Sequence, residues 1–144
     1  MTTTESSIHV ALVPPLHIQM VWEQVEEMLV PAIERSNGRW TMDSIYESLT
    51  GGRKHLWLVF DETSSIDCVA ITEVIEYPAK NMLSIEFIGG SNIEKWVHKL
   101  LEVLNRFAWD AGCGGIEATA RLGFWKWLET DGFEKAYTVF EKRF

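Results

Sequence analysis

A chain of 144 residues, 47% of them hydrophobic and 24% charged, can bury a substantial core and reads as a single domain over 1–144. Its formal charge of −8 sets nucleic acid aside, because phosphate repulsion opposes binding without a basic patch, and the basic runs reach no further than the pairs Arg53-Lys54 and Lys142-Arg143. Cys68 and Cys113 lie far apart with no metal-ligand spacing, no signal pattern opens the chain and no apolar run is long enough for a membrane, so the expectation is a cytoplasmic protein with reduced thiols and neither metal nor membrane.

Residues 1–7 are small and polar and read as a frayed, disordered start. A β-like run over 8–13, closed by Pro14-Pro15, predicts a first strand at a sheet edge. Ile18, Val21, Trp22, Val25, Met28, Leu29 and Ile33 then follow helical spacing over 17–34, with Pro31 expected to kink or shorten the helix and Ser36-Asn37-Gly38 to stop it. Thr41 caps a short helix over 42–49 that Gly51-Gly52 ends. HLWLVF at 55–60 is a strand of buried type, 61–65 a turn by composition and 66–75 the returning strand. After a turn at 77–81, the run 82–88 is apolar except for Ser84 and Glu86, as suits a largely buried strand.

Gly89-Gly90 predicts a tight turn, and Ser91 or Asn92 a cap for the long helix that follows to Asp110, whose stripe of Trp96, Leu100, Val103, Leu104 and Phe107 faces a core. Such a helix start presents unpaired N–H groups and the positive end of a dipole, which suits an anion such as phosphate. A strand over 115–120, a short helix over 124–128, a turn at Asp131-Gly132 and a last strand over 133–141 complete the chain. Short turns make the three middle strands antiparallel, and the long helix makes the strand after it parallel to the strand before it. The fold class is α+β, a mixed and mostly antiparallel sheet of six to seven strands with helices on both faces.

This order, with SIEFIGG-SNIEKW after the fourth strand and WLETDGFEKAYTVFEKRF at the end, resembles the Gcn5-related N-acetyltransferase (GNAT) family, the acyl-CoA N-acyltransferase fold, and looks closest to its small members in phages and prophages. The resemblance implies acetyl-CoA as cosubstrate in a gap between the fourth and fifth strands. Its pantetheine arm would meet the backbone of Phe87, Ile88 and Gly89. Its pyrophosphate would meet the amides of Gly90, Ser91, Asn92, Ile93, Glu94 and Lys95. The sequence departs from the family's usual loop, which opens on a basic residue and keeps a later glycine, and it has Leu128 where the family often has an acidic tyrosine four residues before the "GF" glycine.

Acyl transfer to an amine needs a base to take the ammonium proton. Glu86 and, next, Glu73 are the candidates, the plain alternative being two carboxylates on a solvated sheet face; Glu117 is a weaker third. Lys95, His98 and Lys99 can meet phosphates or simply face solvent, and Arg121 can bind an acidic substrate or pair with a surface carboxylate. Trp40, Trp125 and Trp127 fit either a partner surface, a homodimer interface included, or the core. Three readings stay open: transfer of an acetyl group to a primary amine of unidentified acceptor, in a host cytoplasm or virion; a catalytically inactive GNAT-like binding or virion-associated module; or a plain α+β domain whose turn binds nothing.

Overall fold

The computed structural model describes residues 7–144. The frayed start expected for 1–7 falls, apart from Ser7, outside the described residues. The elements are β1 (His9–Val13), α1 (Ile18–Glu34), α2 (Met42–Thr50), β2 (His55–Phe60), β3 (Ile66–Glu76), β4 (Asn81–Gly90), α3 (Ile93–Asp110), β5 (Gly115–Ala118) and α4 (Trp125–Thr130). They form a sheet in the order β1-β2-β3-β4-β5, antiparallel except for the parallel pair β4–β5.

The strands are apolar on both faces because the sheet is covered on both faces. Alternation sends Leu56 and Leu58 of β2 to one side, where they join Val69 and Ile71 of β3 under Val25 and Leu29 of α1 and Ile45 and Leu49 of α2. Trp57 and Val59 go to the other side with Cys68, Ala70, Leu83 and Ile85, against Trp96, Val97, Leu100 and Leu104 of α3. Thr41 and Ser44 close a reciprocal capping box at the start of α2. At its end, Gly52 takes φ +77°, and the amides of Gly52 and Arg53 return to the carbonyls of Leu49 and Ser48, the paired bonds that stop a helix and turn the chain sharply. That turn delivers Lys54 to the edge of the α1/α2 layer. The first helix continues past Pro31 to Glu34.

Three expectations are corrected. The sheet has five strands among the described residues, not six to seven. The segment 133–141 is not a strand: no backbone hydrogen bond joins 134–144 to the sheet, and Tyr137, Val139 and Phe140 are exposed. Strand propensity is a preference for a paired, half-buried surface. Here β5 offers an edge only four residues long, and a depression of about 1260 Å³ separates it from 131–139. Nor do Gly89 and Gly90 make the turn, since β4 continues through them, paired with Val69 and Cys68. Their missing side chains serve close approach: a Cβ on Gly90 would lie 2.2 Å from the Asp67 carbonyl oxygen, and one on Gly89 2.8 Å from that of Met28. The turn falls instead on Ser91 and Asn92, the latter in the left-handed region at φ 56°.

Candidate active site

Two bulges shape the middle of the sheet. In β3, Phe60 pairs with Ile66 and Val59 with Cys68, leaving Asp67 as the extra residue. In β4, Ile85 pairs with Thr72 and Phe87 with Ile71, leaving Glu86 as the extra residue. A bulge bends its strand and re-aims side chains. Leu83 and Ile85 pack on the α3 side, whereas Phe87 packs on the α1/α2 side, so the alternation slips by one at Glu86.

The bend coincides with the parting of β4 and β5. Their register runs only from Met82–Gly115 to Ile85–Ala118, and the amide of Thr119 makes the last cross-strand bond, to the Ile85 carbonyl at 3.1 Å. Beyond it, β4 has no partner on that side among the described residues. A cavity of about 560 Å³ opens there, walled by Glu86, Phe87 and Ile88 from β4, Thr119 and Arg121 beyond β5, and Arg39 and Trp40 after α1.

Glu86 and Glu73 face one another across Lys54, which is 4% exposed. Its Nζ lies 2.9 Å from Glu73 Oε2 and 2.5 Å from Glu86 Oε1 and stands 4.3 Å from the centre of the Trp40 ring. Burial pushes the Glu86 carboxyl above the usual carboxylate range; Lys54 opposes this and the neighbouring Glu73 reinforces it. Burial pushes Glu73 the same way, but hydrogen bonds with Lys54 and Glu86 and the charges of Lys54 and Arg53 outweigh it, so Glu73 ends below the usual range. Of the two carboxyls Glu86 thus has the greater affinity for a proton, and a carboxylate held with a raised pKa inside a cleft is better matched to proton transfer near neutral pH than a solvated one.

Sequence reasoning singled out the two carboxylates but not the lysine between them. A signal was present: Lys54 stands two residues before Leu56, and strand alternation turns both to the same covered face. Glu117 is not part of this group; it accepts a hydrogen bond from the Tyr77 hydroxyl at 2.7 Å. His98 stacks edge-on with Trp127, and Lys99 is exposed. Trp125 and Trp127 pack against the α3-side core, and Trp40 joins the cavity wall. Cys68 is buried, which pushes its thiol far up and makes it inert as a nucleophile. No group of three or more His, Cys, Asp or Glu among the described residues can hold a metal ion.

At the start of α3, the Ser91 amide is taken by the Asp67 carbonyl and the Lys95 amide by the Asn92 carbonyl, while no described carbonyl accepts from Asn92, Ile93 or Glu94. These three amides at a helix N-terminus fit a diphosphate, and the unpaired edge of β4 fits an extended, amide-rich arm. Lys95 is engaged elsewhere, its Nζ 3.3 Å from Asp61 Oδ2 and 3.5 Å from the buried Asp67 Oδ2, which has no hydrogen bond. The Asp61 side chain drives the Lys95 ammonium up, and the Thr63 hydroxyl holds Asp61 below its usual value.

No protein-family model matches the sequence, and no curated protein matches it. Solved structures do. An aminoglycoside N-acetyltransferase in complex with CoA superposes with a TM-score of 0.70 at 13% identity, over 99% of this chain and 98% of that one. A ribosomal-protein-alanine N-acetyltransferase from Brucella melitensis gives 0.69 at 12% identity, over 94% and 99%. A protein of Clostridium acetobutylicum described as a predicted acetyltransferase, with acetyl-CoA, gives 0.67 at 13% identity, over 95% and 96%.

Proposed function

The architecture shared with these structures is the GNAT fold, and from it we propose that this chain moves an acetyl group from acetyl-CoA to a primary amine in a cytoplasm. The observation that carries the reading is the parting of β4 from β5 at a bulge whose extra residue, Glu86, stands in the cavity wall. The unpaired edge of β4 at Phe87 and Ile88 is the natural support for the pantetheine arm. The free amides of Asn92, Ile93 and Glu94 are the natural grip for the diphosphate.

In the transfer, Glu86 takes a proton from the ammonium, and the freed nitrogen attacks the thioester carbonyl carbon. A C–N bond forms, the C–S bond breaks, and the sulfur leaves as a thiolate that is protonated from solvent, since Leu128 stands where a tyrosine would serve. Glu73 and Lys54 hold the Glu86 carboxyl in place and set its affinity for the proton. The chemistry asks the protein for position and a matched base, and no covalent enzyme intermediate is needed.

Titration with CoA and acetyl-CoA, followed by melting temperature and by thiol release on an amine panel, tests this. At a hundred times its dissociation constant either ligand adds about 2.7 kcal/mol of stability. A shift of several degrees with thiol release supports transfer. A second reading, a binding module without transfer, is favoured by the engagement of Lys95 with Asp61 and Asp67; it predicts the shift without thiol release. No shift with either ligand refutes both.

A further inference from the structure

The cavity beside Glu86 is lined by three arginines against two carboxylates, Glu86 and Glu141, in a chain whose net charge is −8. Arg35 and Arg39 reach it from the end of α1 and the loop beyond, and Arg121 from the segment after β5, so positive charge comes from both sides of the gap. Three of the chain's thirteen Lys and Arg residues thus line one cavity. Glu86 lies deep, with 15% of its side chain exposed, and Arg39 lies shallow, with 48% exposed. The arrangement is a carboxyl below and guanidinium groups above.

The chain itself demonstrates what the upper tier holds. Glu141, in the unpaired terminal segment, sets its carboxylate 2.5 Å from Arg39 Nη1 in the wall of the same cavity. The Arg143 hydrogen bond, with Arg39 adding to it, holds the Glu141 carboxyl below its usual range. No described carboxylate lies within ion-pair distance of Arg35 or Arg121. Guanidinium groups bind planar carboxylates and phosphates through paired hydrogen bonds.

Resting on the acetyl-transfer reading, we propose that the acceptor is a small primary amine that also carries an anionic group, a carboxylate or a phosphate. Its ammonium meets Glu86 and its anion meets Arg35, Arg39 and Arg121, displacing Glu141. The same tier repels a polycationic acceptor.

Matched amines test this: ethanolamine against O-phosphoethanolamine, and n-butylamine against 4-aminobutyrate, with 1,4-diaminobutane as the dicationic probe. Calorimetric binding and kcat/KM for thiol release are both read. The anionic member of a pair is expected to bind and react at least about tenfold better than the neutral one, and whichever pair shows the larger ratio tells phosphate from carboxylate. Arg121→Gln lowers that ratio toward one, while Arg106→Gln, on the exposed face of α3 beside Asp110, leaves it unchanged. Neutral or dicationic amines binding as well as anionic ones, a ratio untouched by Arg121→Gln, or no amine binding at all overturns the proposal. Neutral amines acetylated as fast as anionic ones remove the specificity and leave the transfer; anionic amines that bind without thiol release remove the transfer and leave the specificity.

Discussion

Lys54→Met is the sharpest perturbation of the candidate site. Methionine keeps the apolar stem and deletes a cation that sits 2.9 Å from Glu73 and 2.5 Å from Glu86. Removing one partner of a buried ion pair costs about 3–5 kcal/mol, because the other charge stays behind without compensation. Glu73 and Glu86 keep 27% and 15% of their side chains exposed, so water relieves part of the penalty and the low end, about 3 kcal/mol, is expected. For a chain of this size that is a fall of about 10 °C in melting temperature. The loss should depend on pH. Without Lys54 both carboxyls bind protons more tightly in the folded than in the unfolded state. Such groups favour the fold below the unfolded pKa and lose that contribution as pH rises through the folded one. The variant should therefore be closest to wild type near pH 5 and furthest near pH 8, and adding Glu86→Gln to it should recover part of the loss at pH 8. Thermal melts of the three proteins at both pH values decide the matter. An unchanged melting temperature, or a loss equal at both pH values, refutes the account of Lys54 as the counter-charge of this pair.

Glu86→Gln should lower kcat about a hundredfold or more and abolish the acid limb of the kcat/KM profile. That limb rises with pH through a Glu86 pKa above the ordinary 4.5, and a retained limb removes Glu86 as the base. Gly90→Ala drives a Cβ against the Asp67 carbonyl oxygen and the Cys68 Cα and should cost about 3 kcal/mol in denaturant unfolding. Gly123→Ala, with nothing within 4 Å, should be close to neutral, and equal effects refute the close-approach reading. Burial lowers the His55 pKa, with Glu73 opposing. A neutral His55 therefore favours the fold above pH 6.5, a contribution lost as pH falls through the lowered value. Because Glu86 acts with the opposite sign, the measurement is the difference in melting temperature between wild type and His55→Gln across pH 7 to 5, which should shrink on the acid side.

Much of the fold was legible because its signals are local. The capping residue Thr41, the period-3.6 stripe of α3 and the apolar run HLWLVF each dictate an element from a few neighbouring residues. Glu86 and Glu73 were legible as candidates because a carboxylate inside an apolar strand is conspicuous. Lys54 was passed over despite its alternation with Leu56, because a lysine beside an arginine looks like surface and only the turn after α2 shows that it is carried under the sheet. The glycines at 89 and 90 were misread for a related reason. Glycine is informative only about what approaches it, and here that is the backbone of β3 and α1, remote in sequence.

By itself, then, the sequence determined the kind and order of the elements from β1 to α4, the directions of the β2–β3, β3–β4 and β4–β5 pairs and the two-sided apolar character of the middle strands, since propensity, periodicity and loop length act over short stretches of chain. Only tertiary structure decided where β4 leaves β5, that Glu86 is the residue the bulge turns into the gap, that arginines from two distant segments share one cavity, and that 133–141 finds no strand to pair with. Register, bulges and edge pairing depend on how separate segments meet, and whether a strand forms depends on the partner edge as much as on its own residues.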